Sequence, residues 1–289
     1  MLRSFRMLTP SSAQEAAGEL VRLGDKAKVY AGGAELLLLM RHGLVQADRL
    51  IDIKHIPSLD KITLKGGALH IGATVTHHRL ETDPLIREHL PMFATAESQV
   101  ANIRVRNQGT LGGNLCFNDP HSDPGAALLV HEAVVFLAGP KEQRQMRLED
   151  FFTGMYETAL GPDELLAQVK VPPLPPGWGG AYMRVHRLQR PTLGVAAAAE
   201  AKNGRLEGVR LAVGCVGPTP KRLAELESKI QGARLEEAAR MIRESKSYLA
   251  ESLHPVDDIL GSSEYKLHIT RVLLGRALEQ AVQAIRAAN

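Results

Sequence analysis

Between residues 172 and 180 the chain reads PPLPPGWGG, four prolines and three glycines. Proline removes a backbone donor and cannot continue a helix, so no helix interior or central strand is expected to run through this stretch. The chain is therefore read as two units, residues 1–176 and 177–289. A composition of 44% hydrophobic and 23% charged residues suits a globular protein with a real core in each.

The first unit opens as a βαβ pattern. Ser11 and Ser12 cap a helix whose apolar face is Ala16, Ala17, Leu20 and Val21. A short strand at 28–31, a glycine pair, a helix from about 35 to 42 and a buried strand at 50–52 follow. From about residue 56 the pattern changes, which divides the unit into subdomains of about 1–55 and 56–176. Residues 61–73 alternate around Gly66-Gly67, the signature of a tight hairpin. Helices are expected at 75–81, 84–89 and 92–100, then a glycine-rich loop, an apolar run at 126–130, and strands at 133–138 and 164–171. The second unit begins with a hairpin around Asn203-Gly204 and continues with helices at 220–231, 235–250 and 263–288. The last carries Ile269, Val272, Leu273, Ala277, Ala281 and Ala284 on one stripe.

Several function classes fall away on composition. Aromatics are only 4%, too few for a protein that stacks nucleic-acid bases. The net charge of +3 is scattered, and its densest group, Arg104, Arg106 and Lys54, is too small for a phosphate-tracking stripe. No segment approaches the roughly 20 apolar residues that span a bilayer, and the N-terminus MLRSFRMLTPSSAQEA lacks an apolar signal core. The two cysteines, Cys116 and Cys215, cannot form a four-cysteine cluster and favour a reducing compartment, so a cytoplasmic location is expected.

Two glycine pairs carry the chemistry. VYAGGAELLLLM (29–40) places Gly32-Gly33 between a strand and a helix, and NQGTLGGNLCFNDPHSD (107–123) surrounds Gly112-Gly113 with Thr110, Asn114, Ser122 and Asp123. Successive N–H groups in such turns can converge on an anion, and glycine admits a ligand close to the backbone. A pyrophosphate suits that arrangement. Neither stretch is G-x-x-x-x-G-K-[ST] or G-x-G-x-x-G, which argues against the P-loop and Rossmann readings.

The same segments carry a family likeness. AGGAELL (31–37), LIDIKHIPSL (50–59), IGATVTHHRL (71–80) and above all IRVRNQGTLGGNLCFNDPHSD (103–123) resemble the FAD-binding medium subunit of molybdenum hydroxylases. That family includes the flavoprotein subunits of carbon monoxide dehydrogenase and xanthine dehydrogenase. VGCVGPTPKR (213–222) and YKLHITRVLLGRAL (265–278) extend the likeness across the chain. It implies an α+β fold: a vanillyl-alcohol-oxidase-type (PCMH-type) FAD-binding domain of two subdomains, plus a small α/β C-terminal domain with an antiparallel sheet and helices. It also implies non-covalent FAD, held by Tyr30, Ala31, Gly32, Gly33, Ala34, Glu35, Leu36 and Leu37 and by Thr110, Leu111, Gly112, Gly113 and Asn114. Asp123 matches the acidic residue that reaches the adenosine half, and Arg184 falls where many members carry a Lys near the isoalloxazine. Some relatives have Ser, Thr or His where this chain has Ala34, and one branch carries an inserted cysteine-bearing iron–sulfur loop absent here.

The function so implied is electron transfer: electrons arrive from the [2Fe-2S] clusters of a small partner chain and leave to an external acceptor. Substrate is oxidised at a molybdenum cofactor on a large molybdopterin-binding chain, the whole forming a dimer of heterotrimers. The sequence offers no catalytic residue and no metal ligand set of its own. His77 and His78 are read as a solvated pair, because helix neighbours point about 100° apart and cannot chelate. Cys116 is read as a small buried residue, Glu149-Asp150 as acids at a helix start, and His121 as part of the cofactor loop rather than an acid–base partner of Asp123. A free-standing FAD-dependent reductase and a flavin-free scaffold subunit are the alternatives.

Overall fold

The computed structural model describes residues 3–186 and 190–288. The first layer is a three-stranded parallel sheet in the order β1 (Arg6–Leu8), β3 (Arg49–Asp52), β2 (Ala27–Tyr30), with α1 (Ala13–Leu23) crossing from β1 to β2 and α2 (Leu36–Arg41) from β2 to β3. Ser12 caps α1 by accepting from the Glu15 N–H. Ala13, Ala16, Ala17 and Leu20 are its buried face, whereas Val21, expected among them, is 60% exposed. The β1 strand was not evident in the sequence, because its residues are largely exposed.

The second layer is an antiparallel sheet in the order β4 (Ile62–Lys65), β5 (Ala68–Gly72), β10 (Leu165–Val171), β6 (Val134–Ala138), β7 (Gln143–Arg147). Gly66 and Gly67 turn the β4–β5 hairpin at φ 57 and 74. Between β5 and β6 run six helices: α3 (His77–Thr82), α4 (Pro84–His89), α5 (Pro91–Ser98), α6 (Ile103–Gln108), α7 (Leu111–Phe117) and α8 (Pro124–Val130). The short α9 (Leu148–Phe151) and the ribbon β8 (Phe152–Gly154)–β9 (Glu157–Thr158) connect β7 to β10. Glu149 and Asp150 lie in the first turn of α9, as expected of acids at a helix start.

The third layer is antiparallel: β11 (Trp178–His186), β12 (Pro191–Lys202), β13 (Arg205–Gly214), β14 (Lys221–Arg222). Its helices are α10 (Ala224–Ile230), α11 (Leu235–Glu244), α12 (Lys246–Leu253) and α13 (Ser263–Ala288). Three expectations are corrected. The glycines at 179 and 180 belong to β11 rather than to a connection; a side chain at Gly179 would overlap the Ala281 carbonyl of α13, so the residue is a close-approach point. The helix expected at 235–250 is two helices, broken at Ser245. Of the α13 stripe, Leu273, Ala277 and Ala281 are buried, while Ile269, Val272 and Ala284 are half-buried.

Strand β12 is shared by two cores. Ala196 and Ala198 pack into the core of the second layer, and Val195, Ala197 and Ala199 into the core beneath the C-terminal helices. Period-two alternation puts successive side chains on opposite faces, so this one strand is the wall between the halves. No helix among the described residues is long and apolar enough to cross a membrane.

Candidate cofactor site

The two glycine segments meet. A side chain at Gly32 would overlap the Gln108 carbonyl oxygen and lie 3.0 Å from Gly109 Cα, so the first turn presses on the chain entering the second. Gly33, at φ 71, sits in the left-handed region that L side chains rarely adopt. The turn leads into α2, where the Leu37 N–H reaches the Gly33 carbonyl at 3.2 Å. Among the described residues, the N–H groups of Gly32, Gly33, Ala34 and Glu35 donate to no protein acceptor.

The second segment differs from expectation. Thr110 is the N-cap of α7 rather than part of an open loop, its Oγ1 accepting from the Gly113 N–H at 3.2 Å. The Leu111 N–H reaches the Val75 carbonyl and the Gly112 N–H the Ala73 carbonyl, each at 2.9 Å, and the Asn114 N–H closes on Thr110 O. These donors are occupied. Gly112 is small because a Cβ there would stand 2.6 Å from Ala73 Cβ, which sets α7 against the end of β5.

Together they wall a cavity of about 290 Å³. Ala31, Gly32, Gly33, Ala34, Glu35, Leu36, Thr110, Gly112, Gly113 and Asn114 line it, whereas Leu37 does not and Leu111 is wholly buried in the core. Tyr30 stands outside, in an adjoining groove, under the Lys54 ammonium at 4.3 Å from its ring centroid. Apolar side chains also line the cavity, among them Cys116, Phe117, Leu160, Leu165 and Leu166, together with Glu164. Desolvation pushes the Cys116 thiol up to about 12, which makes it an inert wall. Burial also raises the Glu35 carboxyl, against the pull of Arg190.

Asp123 and Arg184 lie apart from this cavity and pair with each other. The Asp123 carboxylate, 3% exposed, accepts from Arg184 Nη1 at 2.8 Å and from the Tyr182 hydroxyl at 2.7 Å. Arg184 also donates to the Gln99 carbonyl. Burial outweighs the guanidinium and the phenol and pushes the Asp123 carboxyl up to about 6. Arg184 reaches a second, wider cavity of about 810 Å³ with Gln99, Arg106, His121 and Arg190, bounded by Ile259 and Leu260 of the C-terminal half. His121 turns away from Asp123, its Nδ1 near the Pro191 carbonyl at 3.1 Å and its Nε2 3.3 Å from Asp258.

The histidine pair is the largest departure. His78 is half-exposed, but His77 is 2% exposed, its Nδ1 2.6 Å from Glu97 Oε2, and it lines the first cavity. Sequence reading missed this pair because its partner lies on a different helix; Glu97 in the apolar stretch PMFATAES was the one available signal.

Residues 3–174 match the family described as the FAD binding domain in molybdopterin dehydrogenase, and residues 181–281 match the CO dehydrogenase flavoprotein C-terminal domain. The chain is 32% identical to the carbon monoxide dehydrogenase medium chain of Hydrogenophaga pseudoflava over 280 residues, 96% of each chain. It is 31% identical to the nicotine 6-hydroxylase medium subunit of Paenarthrobacter nicotinovorans, over 97% of this chain and 98% of that one. A solved carbon monoxide dehydrogenase from Hydrogenophaga pseudoflava superposes with a TM-score of 0.92 at 31% identity, covering 99% of both chains. With both halves matched and the two glycine segments converging on one cavity, the chain belongs to the FAD-binding medium subunits of the molybdenum hydroxylases, flavoproteins that transfer electrons within oxidoreductase complexes of several chains.

Proposed function

We propose that the first cavity holds the adenosine diphosphate half of FAD and that the second, at the junction with the C-terminal half, takes the isoalloxazine. The observation that carries this reading is the glycine turn after β2, whose four consecutive N–H groups have no acceptor among the described residues and border a cavity that is also lined by apolar side chains. Four successive N–H donors suit a pyrophosphate, and the apolar side chains of Leu160, Leu165, Leu166 and Phe117 suit a purine. The residues present therefore fit the cofactor. Gly32, Gly33, Ala34 and Glu35 bind phosphate through the backbone. Thr110, Gly113 and Asn114 close the opposite wall. Arg184, oriented by Asp123, presents a fixed positive charge to the second cavity. The chemistry supplied by bound FAD is reversible acceptance of electrons, here from [2Fe-2S] clusters of a small partner chain and onward to an external acceptor. Substrate is oxidised at molybdenum on a large molybdopterin-binding chain, and the complex is a dimer of heterotrimers working in the cytoplasm. The flavin module corresponds to residues 1–176 and the C-terminal domain to 177–289, a division supported by the proline-rich connection before β11. Titration of the full, flavin-stripped chain with FAD tests the reading. One FAD per chain with an oxidised-flavin spectrum is expected; absence of binding would leave a scaffold subunit instead.

A further inference from the structure

We propose that His77, held in place by Glu97, is a side-chain ligand of the pyrophosphate in the first cavity. This rests on the FAD reading above and adds to it a side-chain donor that the backbone turn does not supply.

Glu97 is 0% exposed on α5, and His77 is the first residue of α3. A buried carboxylate needs a partner, and the Glu97 carboxylate has one oxygen on His77 Nδ1 at 2.6 Å and the other, Oε1, with none among the described residues. That contact fixes the ring and leaves Nε2 as the nitrogen that remains, with no hydrogen bond from the described residues. The ring lies at the place where the glycine segments touch. The His77 N–H donates to the Gly109 carbonyl at 3.1 Å, and a Cβ at Gly109 would stand 3.1 Å from His77 Cδ2 and 3.5 Å from Nε2. Gly32 in turn packs against Gln108 and Gly109. The imidazole thus lies against the second glycine segment, among the residues that line the cavity. Nδ1 faces a Glu97 oxygen, so a proton on Nε2 makes that nitrogen a side-chain hydrogen-bond donor to a diphosphate. Glu97 is a positioning residue, because it acts on the ligand only through the ring.

The test is ligand affinity in the full chain stripped of flavin, using FAD, ADP and adenosine as probes, for the native protein, His77→Gln and Glu97→Gln. A lost hydrogen bond to a charged group corresponds to about ten- to a hundredfold in affinity. FAD and ADP are expected to weaken by that factor in His77→Gln, with adenosine unchanged within about twofold, because it carries no phosphate. Glu97→Gln, whose amide oxygen still accepts from Nδ1 but lacks the charge, should show the same pattern at smaller size. Equal losses for ADP and adenosine would mean that His77 only shapes the cavity. Unchanged ADP affinity in His77→Gln would refute the contact and leave the FAD reading standing, whereas a native chain that binds neither FAD nor ADP would overturn both.

Discussion

Replacing Asp123 by Ala should act first on stability and only then on cofactor. Its two oxygens serve Arg184 at 2.8 Å and the Tyr182 hydroxyl at 2.7 Å, and the side chains of the ion pair are 4% and 3% exposed. Removal takes from the guanidinium and the phenol the buried carboxylate to which both donate. Breaking a buried pair from one side costs about 3–5 kcal/mol. For a chain of this size that corresponds to a fall in melting temperature of roughly 6–20 °C. The assay is thermal unfolding of the flavin-free chain, so that ligand linkage does not enter. Arg184→Met alone should also destabilise, but Asp123→Ala with Arg184→Met should cost less than the sum, because both members of the coupled pair are then removed together. The Arg184 contact to the Gln99 carbonyl keeps the coupling below the full figure. A loss under about 1 kcal/mol for Asp123→Ala, or single-site losses that simply add, would refute the buried pair.

The same residue sets a pH dependence. With its carboxyl raised from 3.8 to about 6, the folded chain retains a proton that the unfolded chain has released, so stability should fall as pH rises from about 4 to about 6 and level off above; Asp123→Asn should remove that slope in a pH series of unfolding curves. Gly113→Val, whose Cβ meets only Thr110 Oγ1 at 3.0 Å, should abolish FAD binding with far-ultraviolet circular dichroism retained, and flavin retained at full occupancy would contradict the site. Gly32→Val should lose flavin by a different route, prising the two segments apart at the Gln108 carbonyl, which a lowered melting temperature would report. Because burial raises both thiols, that of Cys116 to about 12, neither cysteine should react with an aromatic disulfide at pH 8 until the chain is unfolded. The native protein should co-purify with two other chains, and the isolated chain should oxidise no hydroxylase substrate; a lone monomer that turns one over would favour a free-standing reductase.

Where local chemistry decides the structure, the sequence was legible. Gly66-Gly67 and Asn203-Gly204 turn their hairpins with positive φ at all four residues, and Ser12 caps its helix. What could not be read depends on contacts between distant segments. Thr110 and the glycines after it look like a loop until Val75 and Ala73 supply acceptors that tie them into α7. Gly179 looks like a connector until α13 lies against it. Strand β7 is almost entirely exposed and carries no apolar alternation, because β6 covers it on one edge only. The glycine turn was found from its residues alone, whereas the pairing of Asp123 with Arg184 spans 61 positions and the burial of His77 depends on Glu97.

The run of four alanines at 196–199 in β12 poses a problem of alignment. A one-residue slip normally turns every side chain to the wrong face and is punished for it. Here a slip would exchange methyl for methyl, so the run itself scarcely distinguishes the correct register from its neighbours. The distinction comes from unlike residues at its end. Gly194 faces Arg184 across the ladder, and a side chain there would overlap the Tyr182 hydroxyl, while Tyr182 itself sits opposite Ala196. Only one alignment lets that phenol pass over a glycine and reach Asp123. The hydroxyl thus works as a detent for the strand, and an error in threading β11 on β12 would at once displace Arg184 from the second cavity. Correct assembly of the C-terminal sheet and correct placement of the Arg184 charge at the second cavity are in this way the same event.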